Sequence, residues 1–226
     1  MIAALSYCHV IVADTEFEFG GNPGNRPRPV CLVAKDLCTG QAWRLFRGEF
    51  DSTPPFPIGP DSLFIAYYAS AELGFFKALD WPNPVNLLDL FAEFRCITNT
   101  TPRPDARLID ALAFFGLDTI GATEKREMID LILRGPPWSH DEIAAILDYC
   151  TSDVDALERL LSAMLPHIDL PRALLRGRYM KAAAAMEWNG VPIDTNTLAL
   201  LREKWTGIQD QLIAAIDADY GVYDGS

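Results

Sequence analysis

Asp14 and Glu16 stand two residues apart at the end of the apolar run Val10-Ile11-Val12-Ala13. The run reads as a strand buried on both faces, and beyond it acids alternate at Asp14, Glu16 and Glu18. Side chains two apart on a strand leave the same face. Asp14 and Glu16 therefore emerge together at the carboxyl end of a buried strand, where open α/β sheets place their sites. Neighbouring carboxylates repel unless a cation lies between them, and hard oxygens suit Mg²⁺ or Mn²⁺. Alone, the pair reads equally well as a strand end turning polar in solvent. Two later features add weight. Glu72 follows the apolar segment Ser62 to Tyr68 at the start of a helical pattern. There it either complements the helix dipole or is aimed by a strand-to-helix junction at the same cation. Tyr149 and Asp153 are four apart on a long helical stretch and so share a face. The plainer alternative for them is an exposed helix face with Tyr149 partly packed.

The elements that must hold these groups can be read in order. Residues 20–29 carry turn chemistry without the G-x-G-x-x-G spacing of a phosphate-binding loop. Val30 to Asp36 and Ala42 to Phe46 read as short strands joined at Thr39-Gly40; with the first strand they make an antiparallel meander. A proline-rich loop covers Thr53 to Pro60. The next strand, Ser62 to Tyr68, leads into a helix to Leu79 with Ser70 as its N-cap, and another strand covers Val85 to Leu90. From Phe91 the pattern is helical. Leu108 to Gly116 is a helix closed by glycine, and Lys125 to Arg134 is a second, broken by Pro136-Pro137. Ser139-His140-Asp141-Glu142 is a capping box that opens a long helix to Leu165. Ala173 to Met186 and a last helix, capped by Asp194 and running through Leu201 to Asp217, complete the pattern.

With 226 residues, half of them hydrophobic, the chain can form one large domain, or a domain with an appendage, around a sizeable core. The net charge of −12 argues against a broad electrostatic grip on nucleic acid, though not against a narrow site where metal offsets phosphate charge. Cys8, Cys31, Cys38, Cys96 and Cys150 show neither C-x-x-C nor zinc spacing and read as reduced thiols of a cytoplasmic protein. His9, His140 and His167 are too dispersed to suggest a metal triad. No apolar run reaches membrane-spanning length. The apolar amino terminus lacks a basic n-region and reads as the lead-in to the first strand.

Taken together, D-x-E at the end of the first strand, an acid after a later strand and Y-x-x-x-D on a late helix resemble the DEDD exonuclease superfamily in its tyrosine subclass. More narrowly the chain is similar to the 3′-5′ exonuclease domain of family A (DNA polymerase I type) DNA polymerases. The runs Lys125 to Leu133, Asp148 to Leu157 and Met186 to Asp194 carry that similarity, the last resembling the segment that leads into the polymerase domain. The resemblance implies an α/β, ribonuclease-H-like mixed sheet (antiparallel meander plus parallel strands) flanked by helices. It implies an exonuclease domain over residues 1–170 and a helical extension over 171–226. Two ions, Mg²⁺ or Mn²⁺, would be held by Asp14, Glu16, Glu72 and Asp153, with Asp14 bridging and Glu72 acting through a water. Tyr149 would orient the attacking water, and Phe17 would stack against a terminal base, a place in the core being an equally good account of that ring. The implied activity is hydrolysis of single-stranded or frayed DNA 3′ ends to nucleoside 5′-monophosphates in proofreading, with a polymerase domain or subunit as partner and no membrane.

The chain departs from that pattern at the second acid. Where the family carries A-H-N-x-x-F-D, this sequence has Ala66-Tyr67-Tyr68-Ala69-Ser70-Ala71-Glu72. Glutamate is one methylene longer than aspartate, and Mg²⁺ demands near-ideal geometry. A second reading is therefore a catalytically impaired nucleic-acid-binding or scaffolding domain. A third is the same chemistry on RNA, as in ribonuclease-D-like members. No polymerase palm or fingers motif follows Ile193. Leu198, Leu201, Trp205 and Leu212 on the last helix are candidates for a partner surface, with packing inside the chain as the plainer account.

Overall fold

Four consecutive residues, Val10 to Ala13, have no solvent exposure, and around them a five-stranded sheet is built. In this computed structural model the described residues are 5–19, 26–99, 106–118 and 122–223. The glycine-rich turn read at 20–25 and the lead-in before Leu5 lie outside them. The strands are β1 (His9–Phe19), β2 (Pro27–Asp36), β3 (Ala42–Phe46), β4 (Ser62–Ala66) and β5 (Asn86–Asp89). Their order across the sheet is β3-β2-β1-β4-β5. β1, β2 and β3 form the expected antiparallel meander, while β4 and β5 run parallel to β1.

Register decides what is exposed. β4 pairs with β1 only from His9 to Val12, whereas β2 follows β1 as far as Phe19. The acidic half of β1 thus projects beyond its parallel neighbour and is paired on one side by β2. A register shift between Glu16 and Phe17 bends it there.

Alternation along β1 sorts the core into two layers. Val10 and Val12 pack with Cys150, Val154, Leu157 and Leu161 of helix α5 (His140–Met164). Ile11 and Ala13 face the other way, onto Leu73, Phe75 and Phe76 of α1 (Ser70–Ala78). The remaining helices of this unit are α2 (Leu90–Ile97), α3 (Leu108–Phe114), α4 (Ala122–Arg134) and α6 (Leu170–Asn189). α6 lies against β5 and α1. A Cβ at Gly177 would overlap the carbonyl oxygen of Leu87, so glycine is what lets helix and strand approach. Both guanidinium donors of Arg176 reach Glu93 at 2.6 Å, and Lys181 Nζ donates to the Val85 carbonyl at 2.7 Å.

The chain divides into two compact units, one ending at Asn189 and one beginning at Gly190. The second consists mainly of α7 (Thr195–Tyr220), capped as expected by Asp194, whose side chain accepts from the Asn196 and Thr197 N–H groups. No residue of α7 is buried. Among the described residues, no helix is long and apolar enough to cross a membrane.

One cap differs from the expectation. Ala69, not Ser70, is the N-cap of α1, and Ser70 Oγ is buried without a hydrogen-bond partner. The junction is ordered instead by Asp89, which ends β5. Its carboxylate accepts from Tyr68 N at 3.0 Å and Ala69 N at 3.2 Å, and it also caps α2 through Phe91 N and Ala92 N. That clamp holds Tyr68 at φ +66°, a left-handed conformation unusual outside glycine.

Candidate active site

Asp14 and Glu16 leave the projecting end of β1 on the face that meets α5. There Tyr149 and Asp153, one helical turn apart, look back at them. Carboxylate oxygens of Asp14, Glu16 and Asp153 all lie within 4.8 Å of one another. Asp153 is buried, while Asp14 and Glu16 keep a solvent-facing edge. Glu18, the third acid of the alternation, is taken up by an ion pair with Arg47 at 2.9 Å.

The electrostatics follow from crowding acids in a partly dry site. Burial, then the charge of Asp153, pushes Asp14 up to about 7, opposed by a hydrogen bond from Cys150 and the charge of Lys125. Burial, Asp14 and Asp153 together hold Glu16 well above the ordinary range. The Cys150 thiol lies 3.3 Å from both the backbone oxygen and Oδ2 of Asp14. Burial and then the three acids Asp153, Glu16 and Asp14 raise Tyr149, so its hydroxyl stays protonated and serves as a donor. Raised carboxyls of this kind mark acids crowded together in a site partly withdrawn from water.

Glu72 occupies a different place. It lies in the first turn of α1 and is buried, with Oε2 lacking a hydrogen-bond partner. Burial and then the charge of Asp14 raise it well above its usual range. It therefore faces the same centre from the α1 side, but it is not part of the group of three clustered acids.

Two residues were not singled out by sequence reasoning. Lys125, in the first turn of α4, bonds both oxygens of Asp153, at 3.0 and 3.3 Å, and its Nζ lies 5.5 Å from the centre of the Tyr149 ring. Its position in the run Lys125 to Leu133 was visible, but a lone lysine on a helix carries no signal of what it faces. Asp89 is the other; the only trace of its clamp in sequence is an N-cap aspartate before Leu90.

A cavity of about 360 Å³ has Phe17, Arg26, Tyr68 and Trp188 in its lining. The guanidinium of Arg26 stands 4.5 Å from the Trp188 ring centre. Phe17 follows Glu16 directly, so the cavity and the carboxylates share a strand.

No family model matches the chain, and no curated protein matches it. Solved structures do. A nuclease in its apo form is 18% identical with a TM-score of 0.58, over 85% of this chain and 92% of that one. RNase D of Trypanosoma brucei is 14% identical with a TM-score of 0.60, over 85% of this chain and 70% of that one. RNase D of Escherichia coli, an exoribonuclease involved in structured RNA processing, is 15% identical with a TM-score of 0.51, over 81% of this chain and 46% of that one. The fold is the expected α/β, ribonuclease-H-like one, a mixed sheet flanked by helices. At these identities the likeness is one of fold, and the chemistry rests on the residues described above.

Proposed function

We propose that the chain is a metal-dependent 3′-5′ exonuclease that hydrolyses single-stranded or frayed nucleic-acid ends. The observation that carries this reading is the meeting of Asp14, Glu16 and Asp153 within 4.8 Å of one another, with the protonated Tyr149 beside them on α5. The donor set fits Mg²⁺ or Mn²⁺: three hard carboxylates, two of them raised by burial and by the charge of their neighbours. When bound there, a divalent cation lowers the pKa of its water and offsets phosphate charge.

The chain's own residues supply the rest. Asp14, Glu16 and Asp153 hold the cation, and the Cys150 thiol steadies Asp14. The Tyr149 hydroxyl donates a hydrogen bond that orients the attacking water. Phe17 offers a ring face to a terminal base, and such stacking is tolerant of sequence. If a second ion is bound, Asp14 and Glu72 would help to hold it. The products are a nucleoside 5′-monophosphate and a chain shortened at its 3′ end.

The run Met186 to Asp194 supports DNA as substrate and proofreading beside a polymerase domain or subunit. The likeness to two RNase D structures supports RNA as a second reading. The test is degradation of single-stranded DNA and RNA oligonucleotides, labelled at either end, in Mg²⁺ and in Mn²⁺. Shortening from the 3′ end, lost in Asp14→Ala, is expected. Retained binding without shortening in either metal would leave a nucleic-acid-binding domain in its place.

A further inference from the structure

We propose that the cavity between α1 and the end of α6 is a nucleobase pocket, in which Trp188 stacks on the ring and Ser70 Oγ bonds to its polar edge. A free nucleoside and the end base of a nucleic-acid strand present the same ring, and the experiment separates these two sources. The pocket does not depend on the nuclease reading.

Its lining is of two kinds. Ala71 and Gly74 of α1 and Ala184 of α6 are small and leave room, while Phe17, Tyr68 and Trp188 bring three aromatic rings. Such walls suit a flat ligand with π faces. The volume of about 360 Å³ stands at the small end of ligand pockets, the size of a nucleoside.

Ser70 supplies the polar group. It lines the same cavity and is 2% exposed, and its Oγ has no hydrogen-bond partner among the described residues. A hydroxyl both donates and accepts, and a buried one left unpaired is costly. The donors and acceptors on the edge of a base would provide the missing partner.

Tyr68 is held at the cavity under strain. The Asp89 clamp fixes its backbone at φ +66°, and its ring stands edge-on to Phe91 at 5.1 Å and 86°. The side chain stays 45% exposed. Backbone strain of this kind persists only where its surroundings enforce it, and it gathers at ligand sites.

Charge selects the base over the phosphate. The lining holds one cation, Arg26, whose guanidinium lies over the Trp188 ring at 4.5 Å, and one anion, Glu187. A phosphate would meet the Glu187 carboxylate, whereas a neutral ring meets no opposing charge. Phe17 directly follows Glu16, and Ala71 directly precedes Glu72. The cavity wall thus begins one residue from two of the acids, and that adjacency makes a strand end one of the two sources.

The test is two-dimensional NMR of the ¹⁵N-labelled full chain in a chelator, titrated with adenosine, adenosine 5′-monophosphate and ribose 5-phosphate. Of the five tryptophans, Trp188 is identified as the indole N–H signal missing from Trp188→Phe. Adenosine and its monophosphate should shift that signal with Kd values within a few-fold of each other, and ribose 5-phosphate should not. Trp188→Ala, followed at the Ala71 and Gly74 amides, should weaken adenosine on the order of tenfold. Ser70→Ala should weaken it several-fold while raising the thermal midpoint of the free protein, because an unpaired buried hydroxyl is gone. A Ser70 with only a structural role would not separate the two readouts. An oligonucleotide abasic at its 3′ end, bound more weakly than the intact one by the wild type but not by Trp188→Ala, would identify the strand end as the source. Equal binding of the two would identify the free nucleoside. No shift of Trp188 with adenosine, an equal shift with ribose 5-phosphate, or unchanged adenosine affinity in Trp188→Ala would overturn the proposal. Hydrolysis is not read, so that failure would leave the nuclease reading standing, and failure of the oligonucleotide degradation assay would leave the pocket standing.

Discussion

Asp14 is the residue on which the centre's response to pH turns. Its carboxyl titrates at about 7 in the folded chain, against an ordinary value of 3.8. Between those values the folded chain keeps a proton that the unfolded chain has released. Stability must then fall as pH rises through that window. Glu16 and Glu72, also raised by burial, act in the same direction. A divalent cation selects the deprotonated form and should reverse the trend. Thermal unfolding in a chelator is accordingly expected to show a midpoint that drops by several degrees from about pH 5 to about pH 7.5. Asp14→Asn should flatten that slope, and Mg²⁺ should raise the midpoint most at the alkaline end. A chelated protein whose midpoint climbs across the same range would show that these carboxyls are not raised. The types of these residues were legible from sequence because D-x-E and Y-x-x-x-D each obey a local period. The state of Glu72 was not. Its position in the first turn of α1 followed from the pattern, but its enclosure depends on how α1 meets the sheet.

At the scale of elements, the strands and most helices follow from periodicity and punctuation. β3 has the bounds read from its sequence, and Ser139 with Glu142 forms the expected box. What sequence could not show is contact between elements distant in the chain. Ser70 has the chemistry of an N-cap, yet Asp89 orders that junction from 20 and 21 residues away. Gly177 is a sharper case. Inside a helical run it looks like a local weakness, whereas its role is to admit the backbone of β5. Alanine there would gain helix propensity and still lose stability, since its Cβ would meet the Leu87 carbonyl and the helix would have to move. Gly177→Ala should cost about 1–3 kcal/mol, read as a midpoint lowered by about 3–10 °C. An unchanged or raised midpoint would mean that α6 does not seat this closely on the sheet.

For the whole molecule, the question is where the unit that carries the acidic site ends. The resemblance places the boundary at residue 170, which assigns α6 to an extension leading toward another domain. Physical packing bears on that boundary. α6 covers β5 and α1, contributes Ala173 and Ala184 to the two cores, and is fixed by the bidentate Arg176–Glu93 pair. Trp188 from its last turn also lines the cavity that Phe17 lines. Removing residues 170–226 would expose the outer face of β5, which carries an apolar layer that needs cover. Removing only residues 190–226 takes away a unit whose helix has no buried residue. We therefore expect a chain ending at residue 189 to keep its thermal midpoint and the proposed 3′-end hydrolysis, and a chain ending at residue 169 to unfold at markedly lower temperature or to aggregate. Circular dichroism melts of the two truncations, with the 3′-end assay on each, decide the matter. Equal stability of both would place the boundary at residue 170 and make α6 a connector; loss of the fold in both would give α7 a structural role that its exposed surface does not suggest.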